Sequence, residues 1–262
     1  MNAAHQTDRK QRQSVRLAGR IVFLFLAAYG IGILAGRLHA QLKKQEPKQE
    51  TIQLIPASQA QTSKAQENAQ DRSKTVPEPK QIAITFDDGP NPYYTRTLLE
   101  GLKKRGVKAT FFVLGSEVEK YPDILEEIHE GGHMIGVHSY EHVNFGQIGD
   151  EAAKQQIEKT QEAIYAVTGE YTGFIRPPYG CWKDSLDDKV DMIEVLWDVD
   201  PLDWATADAD AVTQRILQNA KEGSIILLHD ASKSSVQAAL TVIDSLTKEG
   251  YEFVTVEELL LE

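Results

Sequence analysis

The sequence predicts an α/β domain built on parallel strands, and two patterns carry that prediction. Beyond Gln81, seven short apolar runs alternate with longer amphipathic stretches; the runs are 82–86, 109–114, 134–137, 173–175, 192–197, 224–228 and 251–254. Runs of strand length separated by helix-length segments imply parallel pairing through helical crossovers. Two helical faces are explicit. Ala153, Ile157, Thr160, Ile164 and Val167 share one face, with Asp150 as N-cap and Gly169 as stop, and Val236, Leu240 and Ile243 mark a second face that ends near Gly250. The second pattern is positional: five polar clusters each follow an apolar run, where loops converge on one mouth in a β/α barrel. An open doubly wound sheet and a β/α barrel both fit at this level, and no internal repeat decides between them.

The chain before this domain divides by composition. Residues 1–20 are basic, with Arg9, Lys10, Arg12, Arg16 and Arg20. Residues 21–36 (IVFLFLAAYGIGILAG) carry no charge. These 16 residues fall short of the roughly 20 that span a bilayer, but snorkelling of Arg20 and Arg37 extends the span to about residue 38. We therefore expect one N-terminal transmembrane helix over 21–38, acting as an uncleaved signal anchor. Cleavage after Ala40, which would give a secreted protein, is disfavoured because Leu38 is larger than the small residue wanted three positions back. The basic residues before the span fit an N-terminus inside and a domain outside the cell membrane, although Arg37, Lys43, Lys44 and Lys48 offset them. Residues 39–80 are rich in Gln, Lys, Glu, Ser, Ala and Pro without an apolar period, the composition of a flexible, disordered tether. Residues 81–262 form the expected folded domain.

Charge narrows the function. Residues 1–80 hold 13 Lys+Arg against 6 Asp+Glu, whereas 81–262 hold 15 against 33. A domain this acidic repels phosphate backbones, so nucleic acid is excluded as a partner, while a neutral glycan, or one that becomes cationic when processed, is tolerated. The single cysteine, Cys181, permits neither an intramolecular disulfide nor a CxxC metal pair and reads as a small packing residue.

The clusters supply the chemistry. Thr85-Phe86-Asp87-Asp88-Gly89-Pro90 ends the first run. Taken alone, DDGP reads equally well as a turn. On a strand, however, Asp87 and Asp88 point to opposite sides, so one carboxylate can bind a metal while the other faces a substrate. His138 and His142, in HSYEH after the third run, are four apart and can reach one ion from a tight loop. Ser139 stands where a zincin needs Glu. His129 and His133 share the spacing but straddle Gly131-Gly132, and read as structural or solvent-facing. Two His and one carboxylate leave coordination positions open, which suits zinc; iron or another divalent metal is compatible with the same donors. Arg176-Pro177-Pro178-Tyr179-Gly180, Asp200-Pro201-Leu202-Asp203-Trp204 and His229-Asp230 complete the set.

In this order, TFDDGP, HSYEH, RPPYG, DPLDW and LLH resemble the motifs of the polysaccharide deacetylases, the NodB-homology group also called carbohydrate esterase family 4. The resemblance covers residues 81–262. It implies a distorted (β/α) barrel of about seven parallel strands and a hydrolase that removes acetyl groups from sugars. It assigns Asp88, His138 and His142 to a divalent metal, most simply Zn2+, and Asp87 to the general base. It makes His229 the general acid and the Tyr179 backbone N–H an oxyanion donor. Arg176 would orient Asp87 and hold its pKa down, Asp203 would hold His229, and Trp204 and Leu227 would wall the sugar groove. Asp198, Asp200 and Asp230 are expected as supporting or loop residues. The implied substrate is an N-acetylated polysaccharide, with N-acetylglucosamine of peptidoglycan first. Chitin oligomers, poly-N-acetylglucosamine, N-acetylmuramic acid and acetylated xylan are alternatives. A glycoside hydrolase with Asp87 in a carboxylate pair, and a tethered glycan-binding module without turnover, are the competing classes. Nothing in the sequence specifies an oligomeric state.

Overall fold

The structure, a computed structural model, describes residues 79–261. The expected basic segment and anchor, and nearly all of the expected tether, lie outside the described residues. Among the described residues no helix is long and apolar enough to cross a membrane.

Seven strands form one sheet, and every pairing is parallel: β1 (Lys80–Asp87), β2 (Thr110–Val113), β3 (Met134–Val137), β4 (Phe174–Ile175), β5 (Ile193–Glu194), β6 (Ile225–His229) and β7 (Tyr251–Phe253). The order is β5-β4-β3-β2-β1-β6, with β7 joined to β1. β7 pairs with Lys80–Ile82, the half of β1 that β2 does not reach, and the Val256 N–H then donates to Thr110 Oγ1 at the start of β2. β1 thus starts one residue inside the segment read as tether, and the Lys80 ammonium lies 5.0 Å above the Tyr251 ring. The sheet curls into a half-barrel. Between its outer strands a parallel bridge from Val199 to Ile226 links the chain beyond β5 to β6. This curl decides between the two architectures left open by the apolar pattern.

Six of the apolar runs become strands of nearly the expected length. The run 192–197 does not: only Ile193–Glu194 is strand. The carbonyls of Val195 and Leu196 instead accept from the Arg176 guanidinium, at 3.2 Å each, so this chain serves a buried cation in place of a longer ladder.

The helices are α1 (Thr95–Arg105), α2 (Gly115–Lys120), α3 (Pro122–Glu130), α4 (Asp150–Thr168), α5 (Ala209–Asn219), α6 (Lys233–Lys248) and α7 (Val256–Leu261). Their ends follow local chemistry. The Asp208 carboxylate caps α5 through the N–H groups of Asp210 and Ala211, and Ser232 caps α6 through that of Ser235. Gly106 stops α1 in the left-handed conformation, φ 66°. α4 has the predicted face, with Ala153, Ile157, Thr160 and Ile164 buried, and ends at Gly169. Its N-cap is Gly149, not Asp150. Asp150 is the first helical residue, and its carboxylate is engaged by Lys189 at 2.9 Å and Lys183 at 3.4 Å.

Alternation along β1 separates two environments. Ile82, Ile84 and Phe86 join the hydrophobic core shared with Leu98, Leu102, Val242 and Ile243 of α1 and α6. Thr85 and Asp87 point the other way, into the concave side, where Phe112 and Arg176 also lie. Gly136 of β3 makes room there: a Cβ would sit 2.5 Å from the Phe112 ring. Gly136→Ala should therefore force Phe112 from its place and destabilise the fold by about 1–3 kcal/mol, measured as a lower denaturant midpoint with unchanged m-value.

Candidate active site

All five clusters reach the concave face through the carboxyl ends of the strands. Among the described residues, five non-glycine residues have positive φ: Asp88 (73°), Ser139 (70°), His142 (57°), Tyr179 (60°) and Leu202 (57°). Every one belongs to a cluster singled out by the sequence. Such conformations cost on the order of 1–3 kcal/mol each and persist only where the surroundings fix them.

The β1 register sends the two aspartates apart, as expected. Asp87 is 2% exposed and faces inward. Asp88, turned by its left-handed backbone, brings Oδ1 to 3.4 Å from both His138 Nε2 and His142 Nε2. Donor atoms of these three residues all lie within 4.8 Å of one another. His138 Nδ1 is 2.6 Å from the Arg176 carbonyl, which fixes the N–H on that nitrogen and leaves the Nε2 lone pair free. Burial, partly opposed by the charge of Asp88, pushes the His138 pKa down to about 3, so its ring is neutral, as a metal ligand must be. Asp88 Oδ1 is buried without a hydrogen-bond partner, an arrangement unfavourable unless something else satisfies it. A carboxylate oxygen orphaned between the Nε2 atoms of two imidazoles fits a divalent cation, and Asp88, His138 and His142 are the residues that would hold it.

Arg176 is fully buried and occupies the centre of the concave side. Nη1 donates to Asp87 Oδ1 at 2.7 Å and to Thr85 Oγ1 at 2.6 Å; Nε and Nη2 donate to the Val195 and Leu196 carbonyls. Phe112 lies 4.2 Å below the guanidinium and Trp197 5.7 Å from it. Burial is the largest influence on Asp87 and raises its pKa above the ordinary carboxylate range, against the charge and hydrogen bond of Arg176 and the charge of His229. The expected lowering by Arg176 is therefore present but outweighed by desolvation. Asp87 is held in place and made more basic.

His229 ends β6 opposite Asp87 in register. Its Nδ1 is 2.9 Å from Asp203 Oδ1, its backbone N–H donates to Asp203 Oδ2 at 2.9 Å, and its Nε2 looks toward Asp88 Oδ2 at 4.0 Å. Burial lowers the His229 pKa, but the hydrogen bond and charge of Asp203, with Asp87 and Asp88, more than offset this and raise it to about 9. The ring is thus an imidazolium near neutral pH, with its Nε2 proton directed into the site.

Tyr179 sits edge-on to His142, centroids 4.8 Å apart, and is 63% exposed. Trp204, 65% exposed, stands at the mouth beside Asp203. Leu227, expected as a groove wall, is only 5% exposed; it lies two residues before His229 on the same strand face. Asp198 and Asp200 accept backbone N–H groups of Ile225 and Leu202. Asp230 is buried against the Thr95 hydroxyl and Gly89. His133 accepts the Ala109 N–H and packs edge-on against Phe111, a structural role, and Cys181 Sγ lies 3.6 Å from the Tyr179 carbonyl. Sequence reading gave no role to Thr85, Phe112 or Trp197, which surround Arg176. Thr85 was discoverable, since period two puts it on the face of Asp87; Phe112 and Trp197 look like ordinary core residues.

The polysaccharide deacetylase family profile matches residues 74–194. Among curated proteins, the chain is 39% identical over 220 residues to PdaC of Bacillus subtilis, a peptidoglycan-N-acetylmuramic acid deacetylase, covering 84% of this chain and 44% of that protein. It is 38% identical over 189 residues to a peptidoglycan-N-acetylglucosamine deacetylase of Bacillus cereus, covering 68% of each. The chain thus spans less than half the length of PdaC. The solved structure of peptidoglycan deacetylase PdaC from Bacillus subtilis superposes with a TM-score of 0.68 at 42% identity, over 70% of this chain and 91% of that one. With this fold, these motifs and these relatives, the chain belongs to the polysaccharide deacetylase family.

Proposed function

We propose that this protein hydrolyses N-acetyl groups on N-acetylglucosamine residues of peptidoglycan, with Zn2+ held by Asp88, His138 and His142. The observation that carries the reading is the convergence of that triad with two oppositely tuned groups: a buried carboxylate raised toward basicity and a histidine kept protonated. A pair whose environments suit one to take a proton and the other to give one is what amide hydrolysis needs. A glycan-binding module would have no use for it. The bound divalent metal would supply Lewis-acid polarisation of the acetyl carbonyl and acidify the attacking water.

The chain's own residues account for the rest. Asp87 takes a proton from water as the new C–O bond forms at the acetyl carbon. The Tyr179 N–H donates to the developing oxyanion. His229 then delivers its Nε2 proton to the sugar nitrogen as the C–N bond breaks, giving acetate and a free amine. Arg176 keeps Asp87 aimed at the water, Asp203 keeps His229 in the orientation that presents Nε2–H, and Trp204 offers a ring face to the sugar. An N-terminal anchor over 21–38 with a tether over 39–80 would hold the domain outside the cell membrane within reach of the wall. N-acetylmuramic acid is the second reading, favoured by the similarity to PdaC.

Acetate release from a panel of glycans, with mass spectrometry of the sugar that loses acetyl, tests substrate and position together. Chelation should abolish release and zinc restore it; full activity of metal-free protein would overturn the reading. His138→Ala and Asp87→Asn should each reduce turnover to background, while only His138→Ala greatly weakens zinc binding in equilibrium dialysis. The pH profile carries a sign. Asp203 raises the His229 pKa, so Asp203→Asn lowers it, and the alkaline limb of kcat/KM should move to lower pH. The acid limb, set by Asp87, should lie above the ordinary carboxylate range. In cell fractionation, deleting residues 1–38 should move the protein out of the membrane fraction.

A further inference from the structure

The loop between the two histidine ligands is unusual in how its backbone is held. Ser139 and His142 both have left-handed backbones, φ 70° and 57°, although neither is glycine. Such a segment relaxes unless its peptide groups are pinned from outside. Its carbonyls are pinned by the start of α2: the N–H of Gly115 donates to Ser139 O at 3.1 Å and that of Ser116 to Tyr140 O at 3.0 Å. Two of its N–H groups are pinned by one side chain from α4. Gln156 Oε1 accepts from Tyr140 N–H and Glu141 N–H, both at 2.9 Å, and Gln156 Nε2 donates to Glu141 Oε2 at 3.2 Å. Two donors facing one amide leave its oxygen as the only possible acceptor, so the orientation of the amide is settled by its neighbours.

Gln156 is itself well placed for this. It lies one turn before Thr160, whose hydroxyl donates back to the Gln156 carbonyl at 2.8 Å, and it flanks the buried Ile157. Tyr140, between the two ligands, is clamped separately: its hydroxyl donates to Glu119 at 2.7 Å and the Lys159 ammonium lies 3.7 Å above its ring. The loop is therefore gripped between α2 and α4. Of these contacts, the Gln156 amide alone satisfies two successive N–H groups between His138 and His142.

We propose that Gln156 is a positioning residue for the metal: by bonding the Tyr140 and Glu141 amides it holds the HSYEH loop in the strained form that brings His142 Nε2 toward the same point as His138 Nε2 and Asp88. The inference rests on the assignment of Asp88, His138 and His142 to the metal. Partners that orient metal ligands commonly contribute tenfold to a hundredfold in metal affinity.

The test measures zinc dissociation constants by competition with a chromogenic chelator, on the full chain, and needs no substrate. Gln156→Leu, which keeps the size but removes the acceptor, should weaken zinc about 10- to 100-fold. Its denaturation midpoint in chelator should stay near that of the parent. Gln156→Glu keeps the acceptor but sets a carboxylate against Glu141 and should bind at an intermediate level. The exchange Gln156→Glu with Glu141→Gln restores an amide–carboxylate pair and should recover parent affinity, which a merely structural residue would not require. Parent-like zinc binding by Gln156→Leu, or failure of the exchange to restore affinity, overturns the inference. Should Gln156→Leu not fold, the single and double exchanges decide it alone. His142→Ala separates the two assignments: if it binds zinc like the parent, the metal site itself is wrong, whereas loss there with no loss in Gln156→Leu rejects only the role of Gln156.

Discussion

A guanidinium with no exposure to solvent must find all its partners inside the protein, and Arg176 does so by drawing parts of three strands of the half-barrel toward the end of β4. Thr85 and Asp87 come from β1, the two carbonyls from the chain leaving β5, and the aromatic face of Phe112 from β2. The backbone carbonyl of Arg176 completes the arrangement by fixing His138 from the end of β3. Burying such an ion pair is not a way to gain stability, because desolvation of both charges consumes most of their attraction. Removing either partner, by contrast, leaves an uncompensated buried charge. The pair therefore acts less as a source of stability than as a constraint: the strands can adopt only the spacing at which every donor of Arg176 is satisfied.

That constraint has a chemical consequence. One residue orients both halves of the site, the proposed base Asp87 through its side chain and the proposed metal ligand His138 through its carbonyl. Asp87 and His138 are thus placed relative to each other by a single rigid group, with His138 Nε2 3.8 Å from Asp87 Oδ2. Positioning of this kind matters more than raw basicity, since a small displacement of a base from its proton forfeits much of the benefit of preorganisation. The cost of burial appears in the pKa values, where desolvation lifts Asp87 despite the cation beside it. Here the cost suits the proposed role, because the group it perturbs is the one proposed to accept a proton.

Much of this was legible in the sequence, for identifiable reasons. Strand–helix alternation is written in apolar periodicity, and the polar residues at strand ends interrupt it visibly. Asp87 and Asp88 could be sent to opposite sides by strand geometry alone, and the His138–His142 spacing by loop reach. What was not legible depends on distance along the chain. The Thr85–Arg176 and Asp87–Arg176 contacts join residues some 90 positions apart, and no local pattern marks Phe112 or Trp197 as partners of a cation. The short β5 has the same origin: Val195, Leu196 and Trp197 read as a continuation of the strand, while the Val195 and Leu196 carbonyls answer to the Arg176 side chain just past β4. Asp150 failed as a cap because two lysines from a distant loop compete for its carboxylate.

The backbone strain fits into the same account. Left-handed residues gather where strands β1, β3 and β4 and the chain beyond β5 give way to loops, and nowhere else among the described residues that are not glycine. A strand delivers side chains alternately up and down, which alone cannot aim Asp88, His138 and His142 at one point while Asp87 faces another. Reversing the local hand at Asp88 and His142 does what the strand geometry forbids. The energy stored there must be met by contacts that are absent when the loops relax. The buried Arg176 network supplies those contacts from beneath the site, and the helices α2 and α4 supply them from its side. The geometry of the proposed metal site, that of the proposed proton transfer and the curl of the sheet thus draw on shared contacts.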